Sequence, residues 1–414
     1  MNKNYHIITY GCQMNEHDSE NIAGMLEALD YSHTPNPEEA DVVVMNTCSV
    51  REHADKRFFG MLGQFKKQKK NNPNFIICIC GCMPQQPHIV EAIRKSFGWV
   101  DIVFGTQTIA EFPNLLMERI RTGKKQFSII ANNEEIPEEK ESKREFKHKA
   151  LVNITYGCNN FCTYCIVPYT RGREKSRSLR AVKQEIINLV NDGVKEVMLL
   201  GQNVNSFRDA DGNNFAALIR ALDEVEGLER IRFMTSHPKD LSDELIACFG
   251  DCKKICHNIH LPVQSGSDEV LRRMNRHYNR ERYMEIVEKL RATCPDLSIS
   301  TDIIVGFPGE TEEDFQDTLS LVREVEYDSA FTFIYSPRVG TPAAKYDNQI
   351  PENIKHDRFD RLVDEVNRCS AKKNSEYLGR IVDVMVDGAS KNDAGAWSGR
   401  TDTFKLVNFT SEEP

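Results

Sequence analysis

Residues 157–165 read Gly157-Cys158-Asn159-Asn160-Phe161-Cys162-Thr163-Tyr164-Cys165, with three residues and then two between successive cysteines. Thiolate sulfur is a soft ligand that suits zinc and iron–sulfur clusters, and a closed structural site of either kind takes four protein ligands. Three ligands in one tight loop leave a 4Fe-4S cluster with one iron open to an outside molecule. The alternative is a structural zinc knuckle completed by a distant fourth ligand. The loop follows an apolar stretch over residues 150–156, which places it at the carboxyl end of a strand.

Working outward from that loop, the apolar stretches recur with a long beat, near 194–200, 231–235, 257–262, 298–305 and 329–335. Amphipathic helices are expected between them, with start signals at Ser178, Ser242, Ser267 and Thr311. Gly193 stops the first of these helices. Six strand–helix units are too few for a closed eight-fold barrel and predict an open, partial (β/α)6 barrel whose chemistry sits at the carboxyl edge. Polar loops follow the strands at that edge: Gly201-Gln202-Asn203-Val204-Asn205, Ser236-His237-Pro238, Gln264-Ser265-Gly266-Ser267 and Gly306-Phe307-Pro308-Gly309-Glu310. Gln202, Asn203, Ser236 and Gln264 are candidates there for holding a nucleotide-like cofactor, and Tyr164 for packing against its adenine. His237 reads as a structural histidine, and Asp302 and Glu310 as structural or orienting residues.

Before the loop, residues 1 to about 122 alternate short apolar runs with amphipathic stretches, the pattern of an open α/β domain with parallel strands. The expected strands, about 5–10, 41–46, 75–80 and 100–104, end in Gly11-Cys12, Thr47-Cys48 and Gly81-Cys82 in the first three cases. In open α/β sheets the carboxyl edge is where ligands collect, so Cys12, Cys48 and Cys82 are expected to converge. Cys78 and Cys80 lie inside a strand and read as buried apolar groups.

Residues 132–149 are charged, weakly apolar and contain a proline, as a linker does. The expected division is therefore residues 1–131, a linker over 132–149, the barrel over 150–350, a helical connection over 351–376 and a β-rich end over 377–414. Past Cys165 lie Tyr169, Arg171, Arg173, Lys175 and Arg177, four cations with an aromatic, and these are candidates for meeting an entering polyanion. A solvated face is the alternative reading.

The totals restrict the class. No stretch among the 414 residues approaches the run of about 20 apolar residues that crosses a bilayer, and the amino terminus lacks a signal-peptide core. A cytoplasmic location is expected, where thirteen cysteines stay reduced and serve as metal ligands or buried apolar groups. A formal net charge of −9 argues against a general nucleic-acid binder, so any RNA site is a local patch.

Together these motifs resemble the methylthiotransferase family of radical S-adenosylmethionine (SAM) enzymes along essentially the whole chain. The resemblance implies that Cys158, Cys162 and Cys165 hold a radical 4Fe-4S cluster whose open iron is chelated by SAM. It also implies that Cys12, Cys48 and Cys82 hold an auxiliary 4Fe-4S cluster, and that the carboxyl end is TRAM-like, covering only the first half of such a domain. No acid–base residue is expected to be catalytic, because SAM serves as both methyl donor and radical source. Thr9-Tyr10-Gly11-Cys12-Gln13-Met14-Asn15, Asn46-Thr47-Cys48-Ser49-Val50-Arg51 and Cys165-Ile166-Val167-Pro168-Tyr169-Thr170-Arg171-Gly172 are most similar to the branch that methylthiolates isopentenyladenosine beside the tRNA anticodon. Branches acting on threonylcarbamoyladenosine or on a ribosomal protein, and a two-cluster electron-transfer protein without catalysis, are the alternatives. Expected partners are the tRNA anticodon stem-loop, a one-electron donor such as flavodoxin or ferredoxin, and a sulfur or cluster carrier. The protein is expected to act as a monomer.

Overall fold

Val42–Thr47 and Ile76–Gly81 are buried at every position, as strands covered by helices on both faces require. The computed structural model describes residues 3–49, 52–130, 143–391, 393 and 395–411. Its internal contacts divide the chain into two units, one of Met1–Glu145, Thr155–Asn159 and Cys165–Ser176, the other of Phe146–Ile154, Asn160–Tyr164 and Arg177–Pro414. Of the linker expected over 132–149, residues 132–142 lie outside the described residues, as do Val50 and Arg51 of the second cysteine motif.

The first unit alternates β1 (Lys3–Thr9), α1 (Gln13–Glu27), β2 (Tyr31–His33), β3 (Val42–Thr47), α2 (Glu52–Asn71), β4 (Ile76–Gly81), α3 (Pro87–Ser96), β5 (Ile102–Phe104), α4 (Phe112–Thr122) and β6 (Gln126–Ser128). All pairings are parallel, in the order β2-β1-β3-β4-β5-β6. The period of two sends Val42, Val44, Cys78 and Cys80 to one face, against Ile22 and Leu26 of α1 and Phe112 and Leu116 of α4. Val43, Met45, Ile77 and Ile79 go to the other, against Phe58 and Leu62 of α2 and Ile93 of α3. The edge strands β2 and β6 were not expected, since three residues each are too short to show a period.

The second unit begins with β7 (Lys149–Asn153). The strand expected over 150–156 divides: Thr155–Tyr156 (β8) instead forms a short antiparallel pair with Lys175–Ser176 (β9) in the first unit, which also holds the short helix α5 (Val167–Thr170). The barrel continues through α6 (Leu179–Asn191), β10 (Glu196–Leu200), α7 (Phe215–Asp223), β11 (Arg230–Phe233), α8 (Asp243–Asp251), β12 (Asn258–His260), α9 (Asp268–Arg273), α10 (Arg280–Thr293), β13 (Ser298–Val305), α11 (Glu312–Val325) and β14 (Ser329–Ile334).

Its strands lie in chain order and parallel, β7-β10-β11 and β12-β13-β14, joined by an Ile231–Ile255 bridge and by Ser236 N–H donating to His260 O at 3.2 Å. Each predicted start signal caps its helix: Ser178, Ser242, Ser267 and Thr311 accept from the backbone N–H three residues on, and Thr311 with Asp314 completes a capping box. Asn214 and Asn279 cap α7 and α10 in the same way.

A long helix, α12 (Glu352–Ser375), packs on β14 and α11. The chain then forms an antiparallel sheet of β15 (Val384–Ala389), β16 (Trp397–Thr401) and β17 (Leu406–Phe409). Buried Arg232 of β11 ties that sheet to the barrel, donating to Thr401 O at 2.7 Å and Asp402 O at 2.8 Å with its guanidinium over the Phe404 ring.

Candidate metal centres

In the first unit three neighbouring strands release a cysteine at the same level. Thr47 pairs with Gly81, Tyr10 N–H donates to Asn46 O, and Cys82 N–H donates to Thr47 O, so the chain ends its strands in step before Cys12, Cys48 and Cys82. Strands β1, β3 and β4 are consecutive in the sheet, and strand spacing of about 4.8 Å confines the three residues to a span of roughly 10 Å. Two glycines make this possible. A side chain on Gly11 (φ +117°) would lie 2.6 Å from Cys48 Cβ, and one on Gly81 (φ +93°) 2.2 Å from Thr47 O.

Buried amides hold the three turns together. Asn15 Nδ2 donates to Tyr10 O and Thr47 O, and Asn46 Nδ2 to Asn15 O and Ser19 Oγ. Cys12 is the N-cap of α1, where the helix dipole favours negative charge. Burial pushes the Cys82 thiol up against the opposing pull of Arg171. Cys78 and Cys80 are fully buried in the α1/α4 face, and burial raises both thiols well above the usual range.

The cation in this unit is Arg171. Its Nη2 donates to Asn15 Oδ1 at 2.7 Å and Asp18 Oδ2 at 2.9 Å, and the guanidinium acts electrostatically on the nearby Cys82 thiol. Thr106 Oγ1 and Gln107 Nε2 hold the Thr170 and Arg171 carbonyls at 2.9 and 2.8 Å.

The 157–165 loop is pinned at both ends. Gly157 (φ +71°) passes so close to the Gly172–Arg173 backbone that a side chain would lie 2.2 Å from Arg173 O, and Cys158 N–H donates to Gly172 O at 3.2 Å. In the second unit Asn275 Nδ2 donates to Asn160 O and Phe161 O, Thr163 N–H to Met274 O, and Thr163 Oγ1 to Arg273 O. Buried Arg276 donates from Nη1 to Cys162 Sγ at 3.4 Å, from Nη2 to Pro262 O at 2.8 Å and from Nε to Tyr278 OH at 2.9 Å. Tyr164 packs on the small cluster of Val270, Met274, Phe307, Tyr335 and Ala343. None of the thirteen cysteines is in a disulfide.

The carboxyl edge of the barrel carries buried polar atoms without a hydrogen-bond partner: Asn205 Oδ1, Ser236 Oγ and His237 Nε2. Burial, and then Arg276, hold the His237 imidazole neutral far below its usual range. Its Nδ1 accepts from Lys239 N–H at 3.3 Å, which leaves the proton on Nε2 as a donor awaiting an acceptor. Asn203 is spent as a brace, donating to Asp240 at 2.6 Å and accepting from His237 N–H at 3.1 Å. Gln264 is buried in the left-handed region (φ +72°), its backbone paired with Asp302 and Ile304. In the His257, Cys294 and Asp296 group, at the opposite ends of β12 and β13, His257 Nδ1 lies 2.9 Å from Asp296 Oδ1.

This chain is 54% identical over 409 residues to the tRNA-2-methylthio-N(6)-dimethylallyladenosine synthase of Clostridium perfringens (strain 13 / Type A), covering 98% of the chain and 92% of the relative. The chain belongs to that family. The synthase of the same name from Clostridioides difficile (strain 630) is 54% identical over 403 residues (97% and 84% covered), and that of Alkaliphilus oremlandii 52% over 414 residues (100% and 88%).

Residues 152–322 match the Radical SAM superfamily and residues 4–105 the Uncharacterized protein family UPF0004. Among solved structures, the radical SAM methyltransferase TsrM from Kitasatospora setae has a TM-score of 0.57 at 14% identity, covering 83% of this chain and 77% of that one. The cobalamin-dependent SAM radical enzyme OxsB has 0.55 at 11%, covering 99% and 65%. At those identities the likeness is one of fold. The family is one of radical SAM enzymes, which carry a 4Fe-4S cluster and SAM.

The structure redistributes the residues proposed to meet RNA. Tyr169 and Arg173 are exposed and Lys175 is half-buried in the β8–β9 pair. Arg171 and Arg177 are not surface cations: the first is enclosed beside Cys82, and the second donates to Asn153 O at 2.9 Å and pairs with Glu185 at 2.6 Å. A basic run in sequence does not reveal which cations find buried acceptors, because those acceptors lie elsewhere in the chain. Arg276, which sequence alone does not single out, is likewise buried on acceptors distant in the chain.

Proposed function

We propose that this protein transfers a methylthio group to carbon 2 of N6-isopentenyladenosine in tRNA, beside the anticodon. The observation that carries the reading is identity above half over nearly the whole length to synthases of that product, in a chain that has both cysteine trios. Cys158, Cys162 and Cys165 would hold the radical cluster, leaving one iron for SAM, and Cys12, Cys48 and Cys82 a second 4Fe-4S cluster. When bound, the clusters and SAM supply the electron, the hydrogen-abstracting species and the methyl group, as cofactors do in such enzymes.

The chain's own part is binding, orientation and exclusion of water. The partnerless Ser236 Oγ, Asn205 Oδ1 and His237 Nε2–H are the polar contacts a SAM molecule at the barrel edge would complete, with Tyr164, Gln202 and Gln264 as further candidates. Asn203 contributes by fixing the His237 loop. The target base enters unstacked, as an anticodon loop permits, past Tyr169, Arg173 and Lys175.

No described helix is long and apolar enough to cross a membrane. The remaining expectations, a cytoplasmic monomer with a TRAM-like end and separate electron and sulfur donors, belong to the same reading.

The test is to digest tRNA from cells with and without this protein and weigh its adenosine derivatives. A methylthio-sized mass gain on isopentenyladenosine alone is the expected result. A gain on threonylcarbamoyladenosine or on a ribosomal protein, or no 5'-deoxyadenosine formed under reduction, would overturn it.

A further inference from the structure

Arg276 and Arg171 are enclosed guanidiniums beside a proposed ligand cysteine, one in each unit, and neither is explained by ligation or by RNA contact. Arg276, 4% exposed, donates to Cys162 Sγ at 3.4 Å, while its other nitrogens are taken by Pro262 O and Tyr278 OH. Arg171, 7% exposed, is held by Asp18 and Asn15 where its charge acts on Cys82. Each trio of proposed ligands therefore has an enclosed arginine beside one of its sulfurs.

Placing an arginine in the interior is costly unless every donor is used and a negative partner is near. Arg171 has a carboxylate as well as sulfur. Among the described residues the hydrogen-bond acceptors of Arg276 are carbonyl, phenol and sulfur, so Cys162 is the one that would supply a compensating negative charge as a thiolate. A fixed N–H donor and positive charge on a ligand sulfur stabilise the more negative of two redox states, and hydrogen bonds to sulfur, net charge and burial are the protein's main controls on iron–sulfur potentials.

The geometry points to a division of labour in which Arg276 sets the reduction potential of the cluster on Cys158, Cys162 and Cys165, and Arg171 independently sets that of the cluster on Cys12, Cys48 and Cys82. Both are positioning residues, acting through the ligand sulfur, and both raise the potential relative to the same cluster without them. The Arg171 half rests on the two-cluster reading given above; the Arg276 half needs only the radical cluster.

The experiment is an EPR-monitored redox titration of the full-length, anaerobically reconstituted protein. Each cluster is read alone in a background where the other trio is replaced by alanine, after iron and sulfide analysis has verified loading. Arg276→Gln is expected to move the midpoint of the Cys158/Cys162/Cys165 cluster to more negative potential, and Arg171→Gln to do the same for the other. Arg→Lys variants, which keep the charge and lose the fork, are expected to shift less.

A loaded glutamine variant titrating at the unsubstituted potential would overturn the assignment for that cluster. Should a glutamine variant fail to hold iron, the lysine variant decides, a negative shift supporting the proposal and an unchanged midpoint rejecting it. Failure of the protein lacking Cys158, Cys162 and Cys165 to bind any iron would instead strike the two-cluster reading and with it the Arg171 half, and the Arg276 titration would stand by itself.

Discussion

Arg358 Nη1 lies 2.8 Å from Glu310 Oε1, and both side chains are buried. Glu310 also accepts from Gly306 N–H at 2.9 Å, which fixes the turn leaving β13. Burial pushes the Glu310 carboxyl up to about 7, although Gly306 N–H and Arg358 pull the other way. A carboxyl that holds its proton more tightly folded than unfolded contributes stability that is complete below about pH 4.5 and lost as pH rises through about 7. Chemical denaturation from pH 5 to 8 should show this fall, on the order of a few kcal/mol at most, and Glu310→Gln should flatten it. An unchanged slope in the variant would refute the assignment.

Asp101 is almost fully buried at the start of β5, and its carboxylate accepts from Lys69 at 2.8 Å, Arg119 at 2.7 Å and Ile77 N–H at 2.9 Å. Asp101→Ala leaves two cations facing each other in the first unit, and removing one partner of a buried pair costs about 3–5 kcal/mol. Thermal unfolding should fall by several degrees. Iron content at permissive temperature should not change, since the network joins Asp101 to Lys69, Arg119 and Ile77.

Gly81 sits at φ +93° with no room for a methyl beside Thr47 O. Gly81→Ala is expected to cost about 1–3 kcal/mol in strain and to displace Cys82. Iron analysis should then show loss of about half the metal, if two four-iron clusters are present, with the SAM-dependent cleavage signal retained. Full iron retention would count against Cys82 as a ligand.

Tyr169 and Arg173 are exposed, whereas Arg171 and Arg177 are enclosed. Arg173→Ala should weaken tRNA binding and reduce the salt slope of log K by about 0.7, the single-strand value per phosphate contact. Tyr169→Ala should weaken binding with the salt slope kept. Arg177→Ala should instead lower stability, through the lost Asn153 and Glu185 bonds, and a pure salt-dependent binding loss there would contradict its burial.

By itself the sequence determined the parts that depend on near neighbours along the chain. The three-and-two spacing of Cys158, Cys162 and Cys165 is covalent, the caps at Ser178, Ser242, Ser267 and Thr311 act within three residues, and the parallel α/β order follows from alternating apolar runs. Cys12, Cys48 and Cys82 were legible as strand-end residues for the same reason. What only the tertiary structure decided is which charges are interior. Arg171 and Arg173 look alike in the chain, yet one meets Asp18, 153 positions away, and the other meets the surface. Arg276 reaches Cys162 over 114 positions. Such pairings depend on which turns the sheet brings together, and a buried guanidinium is tolerated only where that juxtaposition supplies its acceptors.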